Sequence, residues 1–301
     1  ALNSSTSYVG DPSDAQKYLV ISEIMYHPEP DGAAEYSELL NISDAEMLDL
    51  TGVNFSRGIT FDVTGSAVTN LAAGARVLVV QNIAAFEAAH SAGLPVAGVF
   101  ALDSSLSNGG ETIKLEDAEG GTIKEFSYDD KAPWPTSPDT LGFSLVLIQP
   151  GLNPDPSNPS NWRASSAVGG TPGEDEATLV FEGDPAADDD GDGLTALVEY
   201  VLGTSDDDGS AGAAATSTGA VESQGAMYPT FSYRSNPSVG DVDASVETSL
   251  DLANWTDAGG DLVEIDSSAN GDGTVTRVLR FTSPITEESV RYFRLRVELR
   301  Q

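Results

Sequence analysis

The sequence predicts an all-β protein of two sandwich-like blocks joined by a short loop-and-helix segment. Three observations carry that reading. Between Tyr18 and Gly173, short runs rich in branched and aromatic residues alternate with turn clusters roughly every ten residues, the rhythm of a sandwich or barrel. Near the carboxyl end, Phe293, Leu295, Val297 and Leu299 alternate with Arg294, Arg296, Glu298 and Arg300, a period of two that buries one strand face and solvates the other. Between the blocks an aspartate-rich run is followed by Leu194, Leu197, Val198, Val201 and Leu202 at helical spacing, with Gly203 placed to end the helix.

In chain order, the strand-forming runs of the first block are Tyr18 to Tyr26, Glu35 to Leu40, Arg76 to Val80 and Gly142 to Ile148. Asn82 to His90 reads as one helical insertion, capped by Asn82 and ended by Gly93. These signals divide the chain into an amino-terminal segment at 1–17, a first sandwich at 18–176, a loop-helix linker at 177–210 and a second sandwich at 211–301. The low-complexity stretch from Ser210 to Gly225 reads as further linker ahead of the second set of strands. Residues Ala1 to Asn3 read as the last strand of an upstream domain, so the chain is expected to come from a longer polypeptide. Ser4 to Val9 is a candidate donor strand for assembly.

With 48 acidic against 14 basic residues and a net charge of −34, the long-range field repels nucleic acid and anionic membrane surfaces. Neither is expected as a partner; divalent cations are the natural counter-ions. No apolar run approaches the length of a membrane span, so membrane insertion is not expected either. The absence of cysteine removes disulfides, metal-thiolate sites and thiol nucleophiles together. It does not argue against secretion, because large β domains bury enough surface to fold without staples. Six of the ten arginines lie between Arg277 and Arg300 and read as an exposed basic strand face on an acidic body rather than as an anion site.

The sharpest chemical pattern runs from Asp188 to Glu199. It matches the calcium-loop spacing D-x-[DN]-x-[DN]-G-x5-E without a mismatch. Calcium is a hard ion that takes six to eight oxygens, so the chain must turn alternate side chains inward and fold the backbone over at a glycine. Asp188, Asp190 and Asp192 supply the first three positions and Gly193 the turn. The Leu194 carbonyl is the backbone ligand, and Glu199 closes the shell from the first turn of the helix. Position nine is Ala196, which leaves a water to serve there. Asp184 or the run Asp206 to Asp208 is placed to complete or extend the site. Calcium is therefore the expected cofactor, and an extracellular or cell-surface location follows from it.

No catalytic constellation emerges. The two histidines, His27 and His90, have no nucleophile that the sequence nominates beside them. Glu23 and Glu38 fall on strands expected to be neighbours, and a carboxylate pair at short range is the geometry of a retaining glycosidase. In a sandwich without a cleft such a pair instead binds a cation or turns to backbone donors. Glu23, Glu38 and Asp129 or Asp130 thus form a candidate second cation site. Trp134, between two prolines, is the candidate for stacking on a sugar ring, ahead of Trp162 and Trp255.

Several blocks together resemble a known family. They are Ile21 to Pro28, Glu35 to Asn41, Leu48 to Gly52, Leu71 to Gly74, Ser107 to Glu111 and Gly169 to Gly173, and in this order they resemble the bacterial lamin-tail domain over residues 18–173. That resemblance implies an immunoglobulin-like sandwich serving as an accessory module of a larger secreted protein. The loop and helix are similar to the single calcium repeats of dockerin and thrombospondin type 3 families. Val246 to Thr256 resembles a carboxyl-terminal module of planctomycete and verrucomicrobial surface proteins. The expected function is a non-catalytic, calcium-stabilised extracellular structural or adhesive region whose partners are upstream domains of the same polypeptide. A carbohydrate-binding accessory region that takes polysaccharide, and a self-associating subunit of a surface filament or layer, are the alternatives.

Overall fold

The computed structural model describes residues 11–176, 179–210, 212, 215–270, 273–285 and 291–300. The readings placed on Ala1 to Asn3 and on Ser4 to Val9 lie outside the described residues. The chain forms two compact units, one of residues 1–162 and 169–176 and one of 163–168 and 177–301.

The first unit opens with helix α1 (Asp14–Tyr18), fixed by a reciprocal capping box. The Gln16 backbone N–H donates to Ser13 Oγ, and the Ser13 N–H donates to Gln16 Oε1. Its strands are β1 (Leu19–Met25), β2 (Tyr36–Asn41), β3 (Leu48–Asp49), β4 (Asn54–Arg57), β5 (Phe61–Asp62), β6 (Asn70–Leu71) and β7 (Arg76–Val80). Helix α2 (Ile83–Ala89) follows, then β8 (Val96–Val99), β9 (Glu111–Glu116), β10 (Thr122–Tyr128), β11 (Leu145–Leu147) and β12 (Trp162–Ala164), of which Trp162 belongs to this unit. A six-stranded sheet in the order β12-β11-β1-β2-β7-β8 accompanies a four-stranded sheet in the order β10-β9-β4-β5. One apolar core, which includes Ile21, Leu39, Phe55, Val77, Ile113 and Phe126, draws side chains from both. This is an all-β, immunoglobulin-like sandwich.

Every residue of β1 and β2 is buried, so these central strands show no alternation of apolar and polar residues. The reason is α2, which covers the outer face. Phe86 packs there with Met25, Tyr36, Leu78 and Val80. The Asn82 cap is as its side chain predicts, accepting the Ala85 N–H at 3.1 Å.

The second unit contains α3 (Ala196–Leu202), β13 (Thr216–Ser223), β14 (Ala226–Ser235), β15 (Val242–Ser249), β16 (Thr256–Asp257), β17 (Leu262–Ala269), β18 (Val275–Phe281) and β19 (Tyr292–Leu299). Two sheets, β13-β14-β18-β17 and β16-β15-β19, make up this unit, and Phe293 of the second lies against Phe231 and Phe281 of the first at centroid distances of 5.7 and 6.2 Å. The stretch from Ser210 to Gly225, expected as linker, contains β13. Five of its first residues, from Thr216 to Ala220, are exposed, so no apolar alternation marks the strand; register with β14 over eight residue pairs creates it. The helix after the acidic run also belongs to this unit. Leu197 and Val201 bury against Val242, with Leu295 and Val297 of β19 packed beside them.

Candidate metal centre and a buried carboxylate pair

The acidic loop folds around its own carboxylates. Asp188 Oδ2 accepts the Gly193 N–H at 3.2 Å, Asp190 Oδ1 accepts that of Asp192 at 3.0 Å, and Asp192 Oδ1 accepts that of Leu194 at 2.7 Å. Gly191 and Gly193 have φ of 74° and 93°, the left-handed turns that let successive aspartates converge. The ligand oxygens of Asp188, Asp190 and Asp192 lie within 4.8 Å of one another. Glu199, in the first turn of α3, is only 1% exposed. Its Oε1 accepts Thr204 Oγ1 at 3.0 Å, while Glu199 Oε2 and Asp190 Oδ2 are buried without a partner. Burial, reinforced by Asp190, Asp192 and Asp206, raises the Glu199 carboxyl above its ordinary pKa. A buried carboxylate facing further carboxylates is costly unless a cation neutralises it. The donor set is all oxygen, as calcium requires. Asp206 lies at the loop, with its Oδ1 accepting the Asp189 N–H at 3.1 Å, whereas Asp184 turns to the Ala186 N–H.

In the first unit, Glu23 and Glu38 face each other across β1 and β2 as the strand order predicts. Both are buried, at 3% and 1% exposure. Six donors are turned on them. Glu23 Oε1 accepts Tyr36 Oη at 2.6 Å, Ser144 Oγ at 2.5 Å and the Thr171 N–H at 2.9 Å. Glu38 accepts Ser22 Oγ at 2.7 Å, Arg76 Nε at 3.0 Å and the Gly173 N–H at 2.6 Å. The pair thus latches the segment Gly169 to Gly173 onto the sheet, giving the Gly-Gly-Thr-Pro-Gly run a physical role that its sequence does not announce.

This arrangement corrects the candidate second cation site. Its oxygens are engaged by neutral donors and by Arg76, and Glu23, Glu38 and Asp129 do not form a group with converging ligand atoms. Among the described residues that distinction falls to Asp188, Asp190 and Asp192. Asp129 instead turns Oδ1 to the Lys131 N–H at 3.1 Å. Asp130 pairs with Lys131 at 3.3 Å.

Burial, and then the Glu38 charge, push Glu23 up to about 7. A carboxyl raised in the folded state stabilises the fold most below its unfolded value, and that contribution is lost as pH rises through the folded value. From 4.5 to about 7 the shift corresponds to at most about 3 kcal/mol, at 1.36 kcal/mol per pH unit. Urea unfolding of Glu23→Gln and the parent chain at pH 5 and pH 8 tests this. The variant's stability relative to the parent rises by up to that amount between the two pH values; an unchanged difference defeats the assignment.

Trp134 is a second correction. It is 8% exposed, with its ring 6.1 Å from that of Trp162, which in turn stacks on Phe126 at 5.4 Å. Packing against Trp162 places it in the core, so its ring is not presented to solvent for a sugar to stack on. Trp134→Ala is expected to cost about 3–5 kcal/mol in unfolding free energy. A folded, equally stable variant that loses polysaccharide binding would reverse this conclusion.

The carboxyl-terminal arginines are engaged where they stand. Arg294 and Arg296 reach Glu247 at 2.5 and 3.4 Å, Arg300 reaches Asp243 at 2.7 Å and Arg277 reaches Glu264 at 3.0 Å. The basic strand face is therefore matched by acidic residues on the neighbouring strands of its own sheets.

Two sheets around one apolar core, with the carboxylate pair held by hydrogen-bond donors, define the first unit as a β-sandwich of immunoglobulin-like type. In keeping with this, residues 12–130, which hold α1 and β1 to β10, match the family model described as Lamin Tail Domain. No curated protein and no solved structure matches the chain.

Proposed function

We propose that this chain is a non-catalytic structural region, stabilised by calcium and working outside the cell as part of a larger secreted or surface polypeptide. The observation that carries the reading is the pair of buried, partnerless oxygens, Asp190 Oδ2 and Glu199 Oε2, beside the converging Asp188, Asp190 and Asp192 carboxylates. Asp188, Asp190, Asp192, Glu199 and the Leu194 carbonyl hold the ion, and Asp206 adds charge at its rim. Because α3 packs on Val242, Leu295 and Val297, the ion ties the acidic loop to the core of the second unit. Calcium here makes an otherwise self-repelling segment rigid. Loops of this ligand spacing span affinities that include the weak sites of extracellular modules, and an acidic calcium loop of this kind supports the extracellular location. Titrating the chelator-treated chain with calcium in a calorimeter tests the reading. One saturable site, lost in Asp190→Asn, is expected; no heat, or heat unchanged in the variant, overturns it.

A further inference from the structure

Sheet edges expose unpaired backbone groups, and folds blunt them with shortness, bulges, glycine, proline or lysine. The edge strands of this chain can be compared one by one. In the first unit β3, β5 and β6 have two residues each, β12 has three, β8 has four with a shifted register, and β10 carries a bulge between Thr122 and Lys124. In the second, β16 has two residues, β17 is bulged between Glu264 and Asp266, and β13 is interrupted by Gly219. β19 is different. Its eight residues pair with β15 without a break in register, and it contains no glycine, proline or lysine. Its charges give little protection, because Arg294, Arg296 and Arg300 are drawn back to Glu247 and Asp243 on β15, and Glu298 is held by Arg296 of its own strand, a pair that a second copy can exchange for the same pair across the edge.

The strand is also complementary to itself. Paired antiparallel about Val297, it sets Arg296 opposite Glu298 of a second copy, twice, and Leu295 opposite Leu299. Leu299 is 40% exposed and Glu298 is exposed, so both are open to such a neighbour. Arg294 falls opposite Arg300, and each of these keeps its own carboxylate on β15. We infer that β19 is an interaction edge through which two copies of this chain pair, antiparallel about Val297.

The contact is small, of the weak and transient class. Each copy carries a charge of −34, so pairing strengthens as salt shortens the screening length from about 10 Å at 0.1 M to about 3 Å at 1 M. The test is sedimentation velocity on the full chain in calcium from about 1 μM to about 1 mM, at low and high salt. A monomer–dimer equilibrium favoured by salt is expected, with β19 amides that exchange more slowly as concentration rises. Glu298→Arg separates the dimer from the fold. In the monomer it faces Asp243, its register partner on β15, and gives up only the exposed Arg296–Glu298 pair of its own strand, a small loss that the melting temperature of the monomer measures separately; in the dimer it adds a second arginine opposite Arg296 of the other copy. At least a tenfold weaker association is expected. A chain that stays monomeric throughout, a Glu298→Arg dimer of parental strength, or assemblies larger than a dimer each overturn the inference, since a pair about a two-fold axis closes on itself.

Discussion

On the proposed function, chelating calcium is expected to lower the melting temperature of the second unit by about 10 °C, and Glu199→Gln to abolish that response. A ligand bound only by the folded state stabilises it by about 2.7 kcal/mol at a free concentration a hundredfold above its dissociation constant. In a domain of this size each kcal/mol moves the transition by roughly 4 °C. The variant tells a ligand from a merely structural residue. Glutamine keeps the volume and the oxygen that accepts Thr204 Oγ1, but it removes the charge that Asp190, Asp192 and Asp206 repel. In chelator, Glu199→Gln is therefore at least as stable as the parent; in calcium it is less stable. Thermal unfolding of both proteins in both buffers reads the crossover. Equal destabilisation in the two buffers would show that Glu199 does not serve the ion.

Gly170→Ala destabilises the first unit by about 3–5 kcal/mol, the range of severe overpacking combined with backbone strain. Gly170 has φ of 82°, and a β-carbon there would fall inside Tyr36 Oη and Glu23 Oε1, with Ser144 Oγ 3.0 Å away. None of these neighbours is free to retreat, because each is tied to the others by the hydrogen bonds of the carboxylate pair. Gly169→Ala is the control. It has a similar φ of 94°, but the nearest atom to its β-carbon is His90 Cε1 at 3.5 Å, so only the backbone cost of about 1–2 kcal/mol applies. Adding Tyr36→Phe to Gly170→Ala removes one clashing oxygen and recovers part of the loss. Equal effects at the two glycines in chemical denaturation would refute the close-packing account.

The two sites were legible in the sequence to different degrees. The acidic loop is local: its carboxylates lie within twelve residues, so spacing alone singles out Asp188, Asp190, Asp192 and Glu199 as the candidate ligands. Helix α3 and its glycine cap follow from equally local signals, and Gly203 has φ of 66°. The latch is not local. Glu23 and Glu38 can be placed on neighbouring strands from pattern, but half of their donors, those of Ser144, Thr171 and Gly173, come from more than a hundred residues away. Trp134 misled for a related reason. Prolines on both sides specify a turn, and a turn does not say whether its side chain faces solvent or the core.

By itself the sequence determined the all-β class, the acidic character and the clustering of the Asp188, Asp190 and Asp192 carboxylates, because these rest on composition, period and short-range spacing. Tertiary structure alone decided that α3 is built into the second unit, that Thr216–Ser223 is a strand, that Trp134 is core and that the carboxylate pair is a latch. Burial and pairing are properties of what lies opposite a residue, and what lies opposite is supplied by distant parts of the chain.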